Sequence, residues 1–282
     1  MRGMLRGGLL FIAVLTACAK EPQVLTLATT TSTENSGLLA YILPDFEKRY
    51  NAQLHVVAVG TGQALEIASR GDADLVLVHA RSQEEAFMEA GHGLLRKDVM
   101  YNDFLIIGPA HDPAAISGLT DAALAFTKIA EKESTFISRG DESGTQAKEL
   151  QIWEKAGLEP KGGWYISAGA GMGAVLTMAQ EKGAYTLTDR GTYLARTLEG
   201  LDLPILVEGD PVLFNPYGVI VVSPEKHPGV NSELAEKFVE WLTSPETQKL
   251  IGQFGVEQFG QPLFIPDSEE WRASQGESDL NR

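Results

Sequence analysis

Apolar positions along the chain follow two alternating patterns. Short apolar runs at residues 24–28, 53–59, 75–79, 104–108, 135–138, 164–167, 184–188 and 219–223 predict strands. Between them, apolar residues recur at helical spacing. The clearest case is 37–50, where Leu38, Leu39, Ile42, Leu43 and Phe46 share one face. Pro44 predicts a distortion or break there, because its ring removes a backbone donor. Further helices are expected over 62–70, 82–90, 119–131, 144–156 and 173–181, and, after the last strand, over 232–242 and 245–254. Strands alternating with helices predict an α/β fold. Two β/α sets follow one another, which predicts two α/β lobes with the chain crossing between them near 103–109 and 214–219. Lobe 1 would then comprise 24–106 and 219–266, and lobe 2 would be 107–218. Residues 267–282 carry five acids and two arginines and predict a solvated, frayed tail.

The first segment changes this picture. Arg2 and Arg6 precede an apolar run from Leu9 to Leu15, too short to span a bilayer comfortably. Leu15-Thr16-Ala17-Cys18 follows, and this stretch resembles the lipobox of bacterial lipoproteins. The resemblance implies a signal peptide over 1–17, acylation of Cys18, a short tether over 18–23 and a mature chain outside the cytoplasmic membrane. A cleaved secretory signal or a retained anchor are the alternatives. Cys18 is the only cysteine, so an intrachain disulfide and a cysteine-based zinc site are both excluded.

With 282 residues, 44% hydrophobic and 22% charged, the chain has the makings of an ordinary globular protein with room for two cores. The formal net charge of −15 becomes −17 once 1–17, with two arginines and no acid, are removed. Such a surface argues against a nucleic-acid partner, which needs a basic footprint. It leaves room for a small anion, since a buried site supplies its own local field.

Candidate chemistry gathers where strands run into helices. Three turns stand out: Thr29-Thr30-Thr31-Ser32-Thr33, Gly60-Thr61-Gly62-Gln63-Ala64, and Ser138-Arg139-Gly140-Asp141-Glu142-Ser143-Gly144-Thr145. A helix start exposes unpaired N–H groups and partial positive charge. Hydroxyls add donors, and glycine admits a ligand to the backbone. Several such turns converging would cage a small oxyanion, with Arg139 supplying formal charge and planar donors. Each turn alone is equally well an ordinary capped helix start. Arg139 could instead pair with Asp141 or Glu142.

Together these three segments, with Asn215-Pro216-Tyr217, strongly resemble the tungstate-binding component of Tup-type ABC importers, over about residues 25–224. The TTTS run from Thr29 to Ser32 is the most specific element. The resemblance implies a type II periplasmic-binding-protein fold, with two lobes around a two-strand hinge and no catalysis. It implies a ligand shell of Thr31, Ser32, Thr61, Arg139, Ser143 and Thr145. The glycine-rich 169–174 adds Gly173 as a backbone donor, and Thr188 is a further candidate. The implied partners are tungstate or molybdate, a membrane permease with its cytoplasmic ATPase, and the bilayer through Cys18; no cofactor is implied.

Tungstate and molybdate are proton-free tetrahedral dianions at neutral pH, suited to a cage of donors. Phosphate keeps a proton and gains from an acceptor, a part Asp141 or Glu142 could play if they point inward. A secreted enzyme on the same scaffold is the rival from another class. Ser143 does not lie in a Gly-x-Ser-x-Gly elbow, and the five histidines show no metal-binding spacing. His79 reads as a strand-end structural residue. A small organic solute is a third option, with Trp164, Tyr165, Tyr185 and Tyr217 as a potential apolar wall.

Overall fold

The computed structural model describes residues 21–141 and 143–276. Cys18 and the signal segment lie outside the described residues, as does Glu142. In chain order the elements are β1 (Gln23–Thr30), α1 (Thr31–Asn35), α2 (Leu38–Tyr50), β2 (Ala52–Val59), α3 (Thr61–Ser69), β3 (Leu75–Val78), α4 (Arg81–Glu89) and β4 (Gly93–Ile107). There follow α5 (Ala122–Glu131), β5 (Phe136–Ser138), α6 (Gly144–Lys155), β6 (Tyr165–Ser167), α7 (Met172–Lys182), β7 (Thr186–Asp189), α8 (Arg190–Leu198) and β8 (Ile205–Val207). A 3-10 turn (Pro211–Leu213) leads into β9 (Phe214–Val222), and α9 (Ser232–Thr243), α10 (Pro245–Gln253), α11 (Val256–Phe259), β10 (Ile265–Pro266) and α12 (Glu269–Ser274) close the chain.

One sheet runs β10-β4-β9-β3-β1-β2. Strands β3, β1 and β2, at one end of it, are parallel, with β2 the edge strand, and β9 is antiparallel to β3 and β4. All four residues of β3, Leu-Val-Leu-Val, are buried, as a strand covered on both faces requires. Alternation sorts its side chains: Leu75 and Leu77 pack with α2 and α9, while Val76 and Val78 pack with α3 and Phe87 of α4. The same device recurs further along. Phe104 and Ile106 join Phe126 and Trp153, and Leu105 and Ile107 join Val175 and Leu176 of α7. Two α/β/α layer sets result, each with a core on both faces of its strands.

β4 belongs to both sets. It pairs with β9 as far as Asp103↔Phe214, and from Phe104↔Asp189 onward with β7, then β8. The fold is the expected α/β, type II periplasmic-binding-protein architecture.

Several local expectations need correction. The polar run after β1 contains a short helix, capped by Thr30, whose side chain accepts from the Thr33 N–H. Pro44 sits inside α2 without ending it. β4 begins at Gly93 rather than at 104, because Arg96, Lys97, Asp98 and Asn102 hide its first half from a search for apolar runs. β9 likewise starts at Phe214, with Pro216 opposite Tyr101. Helix α8 buries no residue and so carries little apolar signal, and β8, though apolar, is only three residues long, directly after Pro204.

The expected frayed tail is in fact docked from 267 to 276. Asp267 and Ser268 are buried, and both backbone N–H groups donate to Gln248 Oε1, at 3.1 and 3.2 Å. The Ser268 hydroxyl donates to the Thr243 carbonyl at 2.7 Å and caps α12. Among the described residues, no helix is long and apolar enough to cross a membrane.

Candidate functional site

Backbone register assembles the site. β1 and β2 are adjacent and parallel, and Thr30 lies opposite Val59. Thr31 opens α1 directly after β1, and Gly60 separates β2 from Thr61 at the start of α3, so Thr31, Ser32 and Thr61 leave the same end of the sheet side by side. β5 and β6 repeat the arrangement, with Ser138 opposite Ser167. The loops beyond them are tied together: the N–H of Ala168 donates to the Ser138 carbonyl at 2.9 Å and that of Ala170 to the Arg139 carbonyl at 3.1 Å. They lead into α6, capped by Ser143, and α7, whose second residue is Gly173. Four helix starts therefore sit at the carboxyl ends of two parallel strand pairs, the place where open α/β sheets bind ligands. Each offers first-turn N–H groups with no intrahelical partner.

The turn between β5 and α6 depends on Gly140. Its φ of +61° lies in the left-handed region, and an added Cβ would fall 1.9 Å from Ser167 Oγ. Arg139 bonds Asp141 Oδ2 through Nη2 at 2.5 Å and through Nε at 3.1 Å, and reaches Thr145 Oγ1 through Nη1 at 3.4 Å. Burial works to raise the Asp141 carboxyl, but hydrogen bonds from Ser143 and Arg139 outweigh it and hold the group below its usual range. Asp141 is thus an internal partner of Arg139, the alternative left open by its spacing. Ser143 accepts from the Gln146 N–H at 3.3 Å, and its side chain and backbone N–H both hydrogen-bond the Asp141 carboxylate.

The two turn systems meet at His79, the residue after β3. Its Nδ1 lies 2.9 Å from Asn215 Oδ1, and its Nε2 lies 3.3 Å from Thr30 Oγ1 and 3.4 Å from Ser32 Oγ. The Asn215 amide donates to Asn102 Oδ1 at 2.7 Å, and these two residues face each other across β9 and β4. The imidazole packs against the Tyr217 ring at 4.7 Å, centroid to centroid, tilted by 35°. From the other layer set, Gly144 at the start of α6 sits on the same ring: an added Cβ would lie 3.3 Å from His79 Cε1. His79 therefore brings α1 and α6 to one place. Burial holds its imidazole below the usual histidine range, against the pull of Asn215 and of the nearby Asp189 carboxylate. Lys148 also acts on it from α6, and burial in turn lowers the Lys148 ammonium.

Of the residues singled out by sequence, Thr31 and Ser32 are exposed, and Thr61, Arg139, Ser143 and Gly173 are partly exposed. Thr145 is buried against Arg139. Thr188 is buried in β7 opposite Leu105, with its hydroxyl donating to the Asp189 carbonyl at 3.2 Å, and it lies within a strand rather than at a helix start. His79 and Lys148 escaped the sequence reading. The one signal for His79 was its place at the end of an apolar strand, level with the TTTS and Gly60 turns. The aromatic residues considered as a solute wall are core residues instead: Tyr185 and Tyr217 are buried, and Trp164 and Tyr165 pack with Trp153. Among the described residues, no group of three or more His, Cys, Asp and Glu could hold a metal ion.

Comparison with known proteins places this geometry. Residues 17–246 match the family model of the PBP superfamily domain. The tungstate-binding protein TupA of Peptoclostridium acidaminophilum is 53% identical over 244 residues, covering 86% of this chain and 85% of that protein. The solved structure of the tungstate-binding protein TupA of Desulfovibrio alaskensis G20 is 48% identical, with a TM-score of 0.81 over 88% of this chain and 100% of its own. The crystal structure of the tungstate ABC transporter of Geobacter sulfurreducens is 53% identical, with a TM-score of 0.73 over 83% of this chain and 100% of its own. Sequence, fold and the placement of the helix starts agree: the chain belongs to the periplasmic-binding-protein superfamily, in the family of the tungstate-binding TupA proteins, which are solute-binding transport proteins and not enzymes.

Proposed function

We propose that the chain captures tungstate between two lobes outside the cytoplasmic membrane and delivers it to an ABC import permease driven by a cytoplasmic ATPase. Lobe 1 is built on 24–103 with 214–266 and lobe 2 on 104–213, a few residues from the bounds expected at 106 and 219, since Phe104, Leu105 and Ile106 pack with the second layer set and Tyr217 with the first. The change of partner on β4 between Asp103 and Phe104 supports a hinge there. Thr31, Ser32, Thr61, Arg139, Ser143, Thr145 and Gly173 donate to the oxyanion. Closure follows from contacts that a bound ion makes with both lobes at once. Acylated Cys18 holds the protein at the bilayer.

The observation that carries this reading is the seating of Gly144 on His79, which faces the α6 start toward the hydroxyls of Thr30 and Ser32. The pairing of Asp141 with Arg139 favours tungstate or molybdate over phosphate, because it withdraws the carboxylate that a protonated oxyanion would want as acceptor. Calorimetry with tungstate, molybdate, phosphate and sulfate tests it. Tight binding of tungstate or molybdate and weak binding of the other two is expected; tight phosphate binding with none for tungstate reverses the assignment. The anchor has its own test. Cys18→Ala should move the protein from the membrane fraction to the soluble extracytoplasmic one, and unchanged fractionation removes lipidation from the proposal.

A further inference from the structure

A dianion entering this site meets little uncompensated positive side-chain charge. Arg139 is committed to Asp141. Lys148 and Asp189, which act on His79 from α6 and the end of β7, carry opposite signs. Arg190, next to Asp189, is held by both carboxylate oxygens of Asp103 at 2.6 Å and by Glu208 at 2.6 Å. Tyr217, packed against the imidazole from β9, is a phenol that burial pushes well above its usual range, so it stays neutral. Among the described residues these formal charges offset one another, and the helix starts contribute only partial charge.

His79 can change that balance. Its Nδ1 carries a proton in either state, because among the described residues the side-chain atom within hydrogen-bond distance of it is the amide oxygen of Asn215, an acceptor. That amide's orientation is fixed by its own donation to Asn102. Its Nε2 faces two hydroxyl oxygens, Thr30 Oγ1 and Ser32 Oγ, each able to accept. The imidazolium would therefore find acceptors at both nitrogens without rearrangement. Ser32 belongs to the proposed ligand shell, so an anion bound there places negative charge beside Nε2. Opposite charge at such a range favours the protonated ring strongly.

Resting on the functional reading above, we propose that His79 is a further binding residue of the anion site, which takes up a proton on Nε2 as the oxyanion enters and supplies the charge that the fixed side chains do not. The proton comes from solvent; no bond other than Nε2–H is made. Binding then tightens as pH falls, by at most about tenfold per pH unit for a single linked proton.

The test is tungstate calorimetry at pH 7 in buffers of different ionisation enthalpy. The slope of observed heat against buffer enthalpy counts protons taken up. The wild type should take up between zero and about one proton, measurably above zero, and its affinity should rise from pH 8 to pH 6.5. His79→Gln should bind more weakly, with no uptake and a flat profile. Lys148→Met, which removes the other base next to the ring, should keep the uptake. Independently of any variant, nitrogen NMR of histidine-labelled wild type should show Nε2 bare in the empty protein and protonated with tungstate at pH 7. Wild type that binds tungstate with zero uptake and a bare Nε2 overturns this proposal alone, as does uptake that survives His79→Gln. Wild type that binds no oxyanion at all overturns the functional reading beneath it.

Discussion

Gly140 shows how closely the site is built. The left-handed φ at this position costs an L-residue on the order of 1 kcal/mol, and the added methyl would overlap Ser167 Oγ. Even with the Ser167 hydroxyl rotated aside, Gly140→Ala crowds Ser167 Cβ at 3.1 Å and the Gly169 backbone N at 3.3 Å, which pushes the Arg139 loop away from the β6–α7 loop. Since Arg139 is positioned by that loop, oxyanion affinity should fall by more than tenfold while the distant cores stay intact. Titration calorimetry, with circular dichroism as the folding control, checks this; a variant that binds like wild type would show that the two loops need not touch. Thr30 carries a different kind of constraint. It is buried, caps α1 through the Thr33 N–H at 3.2 Å, and contacts Ser32 Oγ at 3.0 Å. Thr30→Val keeps the shape and removes the cap, so it should cost about 1 kcal/mol of stability and loosen Ser32, lowering affinity as well as the melting temperature.

At the scale of elements, what could be read in advance follows from what each element buries. β1, β3, α2 and α9 bury whole faces, so their periodicity was plain in the sequence. The first half of β4 carries the consecutive part-buried charges Arg96, Lys97 and Asp98, held in ion pairs with Glu84 and Glu270, and α8 buries nothing, so neither left an apolar signature. The turns were legible because helix starts demand particular residues; His79 was not, because one imidazole after an apolar strand looks the same whether or not a second layer set closes over it. α12 is the instructive failure. Its segment is acidic and polar, yet it docks through hydrogen bonds rather than apolar area: Gln248 Oε1 receives two backbone N–H groups and Ser268 Oγ reaches the Thr243 carbonyl. Ser268→Ala would leave that carbonyl short of a donor and strip the α12 cap. A loss of about 1–3 kcal/mol in urea unfolding is expected, with tungstate affinity unchanged because α12 lies on α9 and α10 rather than at the cleft.

For the whole molecule, pH links stability to the same imidazole. His79 is held below its ordinary range by burial, and so is His92, near Lys226 and His227. Unfolded histidine titrates at about 6.5, so below that pH the unfolded chain binds protons that the empty folded chain refuses. A group whose folded pKa is depressed adds stability above its unfolded value and loses it as pH falls toward the folded one. The empty protein should therefore melt at progressively lower temperature from pH 7 down to about 5.5. Glu84 and Glu149, both raised by burial, work in the opposite sense, since their neutral forms are favoured in the fold. Their effect is common to wild type and His79→Gln, so the difference between the two melting profiles isolates His79. The empty variant should lose less stability than wild type over that window. With saturating tungstate the wild-type profile should flatten toward the variant's, because a bound dianion returns the imidazole toward or above its unfolded value. Parallel wild-type profiles with and without the ion would place the anion's charge too far from His79 to matter.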